Sequence, residues 1–359
     1  MRQVPPPLPI PTATILLAGG RGSRLHDLTA HEAKPAVFFA GRGRIVDFVM
    51  ANVVRSGLDR LLVATQFAPA TLHQHLPARW GRAFGRGGLV LRDGRGRYRG
   101  TADAVRRNWP QVEAWNAPEV LVLAADHVYD MDYAALVAAH RRSGAAVTVA
   151  ADVIARRQAQ GLGVMTTDED GRILAFHEKP ADPPAMPGRP DCALVSMGVY
   201  VFSTAWLRER LLHDCALALD FGHDLIPMAV ALSEASAYRL PPSASGQSYW
   251  RDVGTLDALR RAHLDFLGAP PVCPPQPSLV ADWSLGRGSV MMPGAHVPLS
   301  ARLTNTIVAP GARIPPGLVV GECAVEDGRW FRRDGDTVLV TQAMLDRREA
   351  GRPFPRIVA

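Results

Sequence analysis

Two lysines stand apart in a chain that otherwise draws its positive charge from arginine. Of 40 basic residues only Lys34 and Lys179 are lysine, which leaves 38 arginines. Each is followed by proline, in Ala33-Lys34-Pro35 and Glu178-Lys179-Pro180. A lysine ammonium is a compact point charge on a flexible stem, whereas a guanidinium is a planar fork. The two do not substitute for one another at phosphate sites. Their isolation points to anion chemistry at positions 34 and 179. Gly19-Gly20-Arg21-Gly22-Ser23-Arg24, upstream of Lys34, points the same way. Closely spaced glycines let backbone N–H groups approach phosphate oxygens, and the arginines neutralise them, so the segment reads as a triphosphate cradle. It contains neither the G-x-x-x-x-G-K-[ST] of a P-loop nor G-x-G-x-x-G.

The elements that must position these groups alternate regularly. Residues 14–18 are a short apolar run entering Gly19-Gly20, and read as a buried strand. Apolar residues at 45, 46, 49, 50, 53 and 54 mark one face of a helix that Gly57 closes. Residues 61–65, 120–125 and 146–150 read as strands, with helical stretches at 102–115 and 133–140 and further strands at 173–176 and 197–202. This alternation predicts an α/β doubly wound sheet, largely parallel. Ligands of such sheets bind beyond the carboxyl ends of the strands, where Gly19-Gly20 and Asp126 fall.

The pattern then changes. Five prolines between 268 and 277 mark a linker. Pro293-Gly294-Ala295 recurs 17 residues later as Pro310-Gly311-Ala312, with apolar steps between turn residues. That predicts a left-handed parallel β-helix of about two coils, too few to bury a core alone, which must lean on the first domain or another subunit. The expected domains are 12–267, a 268–280 linker and 281–359.

Composition excludes other classes. With 359 residues, 47% hydrophobic and 21% charged, the chain is long enough for two globular domains and is not disordered. No run of 18 apolar residues exists, and the proline-rich first 11 residues lack a secretory signal's apolar core. Four scattered cysteines predict reduced thiols and a cytoplasmic location. The net charge of +6 comes from dispersed arginines without a basic helix, which argues against nucleic acid and for small anions.

LAGGRGSRL (17–25) with AKPAV (33–37) resembles the signature of sugar-phosphate nucleotidyltransferases. RIVDF (44–48), YRGTADA (98–104), ADHVY (125–129), FHEKP (176–180), SMGVYVF (196–202), DFGHDLIP (220–227) and YWRDVGT (249–255) resemble one branch, the glucose-1-phosphate adenylyltransferases. Gly321-Glu322 and VLVT (338–341) extend the likeness over nearly the whole chain.

The resemblance implies a Rossmann-like catalytic domain, a short C-terminal β-helix, and a reaction. The phosphate of glucose 1-phosphate attacks the α-phosphate of ATP, and pyrophosphate leaves. Catalysis of this kind is positioning and charge neutralisation. It implies Mg²⁺ on Asp126 and Asp252, catalytic roles for Arg21, Lys34 and Asp126, and nucleotide contacts at Leu17, Gly19, Gly20, Tyr98, Gly100 and Asp126. It places Gly163, Glu178, Lys179, Ser196, Asp220 and Trp250 at the sugar phosphate. It also implies a homo-oligomer, commonly a tetramer, and a place in glycogen or α-glucan synthesis. The alternatives are a nucleotidyltransferase for another NTP or sugar, and a non-catalytic regulatory paralogue. An acyltransferase is disfavoured by the small number of coils.

The chain departs from its pattern in places. His31-Glu32 stand where a basic pair often precedes Ala-Lys-Pro, and Gln342 stands where an Arg commonly follows Val-Thr. Those cations belong to the binding of sugar-phosphate activators, so activation is expected to be weak or different. The 81–97 loop is short.

Overall fold

The computed structural model describes residues 11–214, 219–242, 246, 248–275 and 283–354. Residues 276–280 of the expected linker, and Cys215, lie outside the described residues. The chain divides into two compact units. The first comprises Met1–Gly19, Val49–Ala125 and Asp130–Trp250, and the second comprises Gly20–Phe48, Asp126–Tyr129 and Arg251–Ala359.

A nine-stranded sheet forms the first unit. Its strands are β1 (Thr12–Ala18), β2 (Leu61–Thr65), β3 (Leu89–Asp93), β4 (Glu119–Ala124), β5 (Val147–Ala155), β6 (Gly163–Thr167), β7 (Ile173–Glu178), β8 (Cys192–Ser203) and β9 (Ala235–Arg239). The order runs β7-β6-β8-β4-β1-β2-β3, with β5 against β8 and β9 against β5. Pairing is parallel from β4 through β1 and β2 to β3. β1, β2 and β4 are apolar runs buried on both faces, as a sheet covered by helices requires, whereas β3, at the end of this row, is only partly buried. Strand β8 runs antiparallel to β4, β5 and β6, and its register shifts between Ser196 and Tyr200. Gly198, at φ 67°, lies inside that bulge.

The helix expected over 102–115 is two helices, Thr101–Arg107 and Trp109–Trp115. Pro110 lacks a backbone N–H and restricts the residue before it, so the second helix starts afresh there. At the break, Asn108 Nδ2 donates to the Ala104 carbonyl and to Tyr98 Oη, both at 2.8 Å.

The second unit contains the coils. The 17-residue sequence repeat becomes structural register: Val290 pairs with Ile307, Arg302 with Val319, and His296 with Arg313, all parallel. Thr306–Val308 then pairs with Thr337–Val340, after the Ala324–Trp330 helix and the Arg332–Asp334 strand. The coils are packed within their own unit. The Leu256–Leu264 helix packs against them. Its buried Arg260 donates to Thr337 Oγ1 at 2.8 Å, the Gly288 carbonyl at 3.0 Å and Asn305 Oδ1 at 3.1 Å. A buried guanidinium with satisfied donors fixes the helix on the coil ends.

Candidate active site

The second unit brings one predicted group together. Lys34 begins the one-turn helix Lys34–Ala36, whose second residue, Pro35, has the φ that a helix start needs. The lysine side chain is only 5% exposed. Its Nζ lies 3.0 Å from Asp126 Oδ2 and 2.9 Å from Asp252 Oδ1. Asp252 ends the Trp250–Asp252 strand, which pairs with His127–Tyr129, so both carboxylates are carried by one small β-ladder. Arg24 Nη2 stands 3.9 Å from Asp252 Oδ2.

Electrostatics hold this trio ionised. Burial would lower the Lys34 pKa, but the facing Asp126 and Asp252 charges outweigh it and raise it. Burial would raise both carboxylates, yet Lys34 and then His127 pull Asp126 and Asp252 below the usual range. The two carboxylates converge on the Lys34 ammonium, and their remaining oxygens are of the hard type that a dication takes. Among the described residues no group of three or more His, Cys, Asp or Glu side chains is placed to hold a metal ion, so phosphates and water would have to complete such a shell.

The glycine-rich loop is shaped by the same lysine. Gly22 sits at φ 64°, and a Cβ there would fall 2.7 Å from Lys34 Cβ. Thr29 Oγ1 closes the loop by donating to the Gly22 carbonyl at 2.8 Å. Gly20 and Arg21 are exposed at its tip. Sequence reasoning did not single out His127, whose Nε2 is 3.6 Å from Asp126 Oδ1 and 3.7 Å from Asp252 Oδ1. Its place beside Asp126 in ADHVY was the available signal.

The first unit brings together a second group. Glu178 ends β7, and its Oε1 receives Lys179 Nζ at 2.9 Å. Lys179 adopts φ 50°, rare for a residue with a side chain, and its N–H donates to the Leu162 carbonyl at 3.0 Å. Gly163 pairs directly with Glu178 across β6 and β7. Ser196 is buried, accepts the Gly198 N–H at 3.2 Å, and donates to Tyr200 Oη at 3.4 Å. Tyr200 was not anticipated. Burial, with the nearby Glu178 and Asp220 charges, pushes its phenol up to about 12, so it remains a neutral hydroxyl. Asp220 caps the Phe221–Leu225 helix and also accepts Thr101 Oγ1 at 2.8 Å. Trp250 is buried.

The remaining nucleotide candidates lie in the first unit, Leu17 and Gly19 at the end of β1 and Tyr98 and Gly100 in the loop before the Thr101–Arg107 helix. The Leu17 carbonyl accepts the Ala125 N–H at 3.1 Å, and Gly19 faces Gln66. Gln66 Nε2 donates to the Tyr98 carbonyl at 3.1 Å, while the Tyr98 ring covers Gly94. Gly100 has extended backbone against the Leu219 carbonyl, where any Cβ would collide at 2.1 Å.

Residues 13–268 match the family described as Nucleotidyl transferase, and residues 276–341 match the GlmU-like, C-terminal hexapeptide family. A glucose-1-phosphate adenylyltransferase of Granulibacter bethesdensis is 39% identical over 405 residues, covering 94% of this chain and 97% of the relative. Proteins of the same name from Rhodopseudomonas palustris HaA2 and Cereibacter sphaeroides ATCC 17025 are 39% and 37% identical, covering 92% and 96% of this chain and 96% and 98% of the relatives. The chain belongs to the glucose-1-phosphate adenylyltransferase family. The hexapeptide match assigns the C-terminal coils of this family member to a left-handed β-helix, as the repeat predicts. Among the described residues, no helix is long and apolar enough to cross a membrane.

Proposed function

We propose that this protein transfers the adenylyl group of ATP to glucose 1-phosphate, giving ADP-glucose and pyrophosphate, as a step of glycogen or α-glucan synthesis in the cytoplasm. The observation that carries the reading is the Lys34–Asp126–Asp252 cluster: a buried ammonium meeting two ionised carboxylates beside a glycine-rich loop. Family membership supplies the substrate pair.

In this reading Leu17, Gly19, Gly20, Tyr98 and Gly100 receive the nucleotide. Asp126 and Asp252 would hold Mg²⁺, which supplies charge neutralisation on the phosphates when bound. Lys34 presents its ammonium to phosphate oxygens, and its burial keeps that charge strong by excluding water. Arg21, on the exposed loop, meets the leaving pyrophosphate. Glu178 accepts from sugar hydroxyls, Lys179 pairs with the sugar phosphate, and Gly163, Ser196, Asp220 and Trp250 complete the sugar's surroundings. The catalytic domain spans 12–267, a linker spans 268–280 and the β-helix domain spans 281–359. A homo-oligomer, tetrameric as in the family's common form, belongs to the same proposal.

The test is pyrophosphate release with ATP, GTP, UTP, CTP or dTTP against glucose 1-phosphate and mannose 1-phosphate, with and without Mg²⁺. ATP with glucose 1-phosphate should exceed every other pair in kcat/KM by at least about tenfold, a modest figure for pocket discrimination. Preference for another pair would redirect the reading within the fold, and absence of turnover with all pairs would favour a regulatory paralogue.

A further inference from the structure

We infer that Gly222 is a positioning residue for Glu178, a glycine seat whose missing side chain sets where the sugar-side carboxylate rests. The inference rests on the proposal that Glu178 contacts the sugar. Gly222 is buried in the Phe221–Leu225 helix, and a Cβ built on it would lie 2.5 Å from Glu178 Oε2 and 2.8 Å from its Cδ. Gly163 also approaches this carboxylate. Its Cβ would lie 3.1 Å from the same Oε2 and 2.5 Å from Phe176 Cζ. A side chain at either glycine would crowd the Glu178 carboxylate, severely from Gly222 and slightly from Gly163. The Glu178 side chain is 15% exposed, and Lys179 Nζ holds Oε1.

Which partner would yield to an added methyl follows from the hydrogen bonding. Asp220 Oδ1 accepts the N–H groups of Gly222 at 2.9 Å and His223 at 3.3 Å. Thr101 Oγ1 donates to Asp220 Oδ2 at 2.8 Å and accepts the Phe221 N–H at 3.0 Å. Asp224 Oδ2 accepts the N–H groups of Leu219 at 2.7 Å and Asp220 at 2.9 Å. The backbone under Gly222 is tied at every residue from 219 to 223, whereas Glu178 is the far end of a flexible side chain. The carboxylate therefore moves, by roughly 1 Å to regain van der Waals distance. The fold loses little, and the binding geometry is displaced. Misplacement of about 1 Å can cost on the order of 100-fold in a positioned site. The motif DFGHDLIP carries this residue, and only its first aspartate has a role in the proposed function.

The test is a kinetic double-mutant cycle of Gly222→Ala and Glu178→Ala, with a crystal structure of Gly222→Ala. The expected result is a KM for glucose 1-phosphate raised at least about tenfold by Gly222→Ala, a KM for ATP changed less than about twofold, and a displaced Glu178 carboxylate. In the Glu178→Ala background the glycine change should add less than about twofold. Equal rises in both KM values, an undiminished effect without Glu178, or an unmoved carboxylate would overturn the seat. If Glu178→Ala alone leaves the glucose 1-phosphate KM unchanged, the sugar assignment of Glu178 fails, and the crystal structure still decides the seat. Should Gly222→Ala not fold, the double variant, which removes the colliding side chain, must fold; failure of both overturns the inference.

Discussion

The two lysines of this chain sit in contrasting surroundings. Lys34 is buried to 5% exposure between two carboxylates, with an elevated pKa. Lys179 is 58% exposed, has one carboxylate neighbour, and sits on a left-handed backbone. The first is a fixed charge embedded in a network, and its removal strands two half-buried anions. The second is an exposed charge just past a strand end, and its removal should change what can be bound more than what can fold. A lone lysine can thus be retained for opposite physical reasons: burial that a larger fork would overfill, and reach that a planar fork would misdirect.

The contrast can be broken most severely at the buried cluster. Asp126→Asn or Asp252→Asn should lower kcat by about 10³-fold or more, the scale for losing a charge that organises transferring phosphates. Circular dichroism should remain native, and an active Asp252→Asn enzyme would detach the carboxylate pair from catalysis. Lys34→Arg should cost about 100-fold in kcat/KM for ATP, because a guanidinium in a site packed against Gly22 must displace the loop. Unchanged ATP kinetics would make Lys34 a structural ion-pair partner.

Stability against pH tests the same unit. His263 is buried against Phe39 and Trp283 with Nδ1–H donating to the Leu259 carbonyl at 2.8 Å, and burial pushes its pKa down to about 4. Unfolded histidine titrates near 6.5, so as pH falls the unfolded state gains the proton first. Stability from this group is full above about pH 6.5 and is lost progressively toward pH 4, by about 3 kcal/mol. Urea midpoints between pH 7.5 and 4.5 should show this fall, and it should be shallower in His263→Gln. The Lys34 cluster has the other sign structure: its depressed carboxylates lose their contribution only below about pH 4, and its raised ammonium only above about pH 10.4. It should be silent over the interval in which His263 titrates.

The smallest effect concerns activation. Gln342 Oε1 accepts the Arg313 N–H at 2.9 Å, and its Nε2 donates to Asp346 at 2.8 Å. An amide spent on two internal bonds offers no cation to a sugar bisphosphate. Adding fructose 1,6-bisphosphate should change kcat/KM by less than about threefold; strong activation would show that another cation set serves that ligand.

Much of this was legible in order along the chain. Strands such as β1, β2 and β4 are apolar runs, and burial on both faces leaves few other uses for them. The coil register follows a 17-residue repeat because a β-helix stacks equivalent residues. What escaped was what those local patterns cannot encode. Apolar periodicity around 256–264 shows a helix face but not that β-coils meet it, nor that Arg260 is buried among them. The Lys34–Asp252 contact joins residues 218 positions apart. Glu178's seat depends on a glycine in another motif, visible only when a side chain is built where none exists. The split at Asn108 is encoded by Pro110, a local signal that the apolar pattern of 102–115 masks.

The division of labour between the lysines is tested most directly by one measurement, the substrate KM values of Lys179→Arg. On the proposed roles the KM for glucose 1-phosphate should rise at least about tenfold with the KM for ATP within about twofold, because the exposed lysine would meet the sugar phosphate and not the nucleotide. An equal rise in both, or no change in either, would contradict those roles.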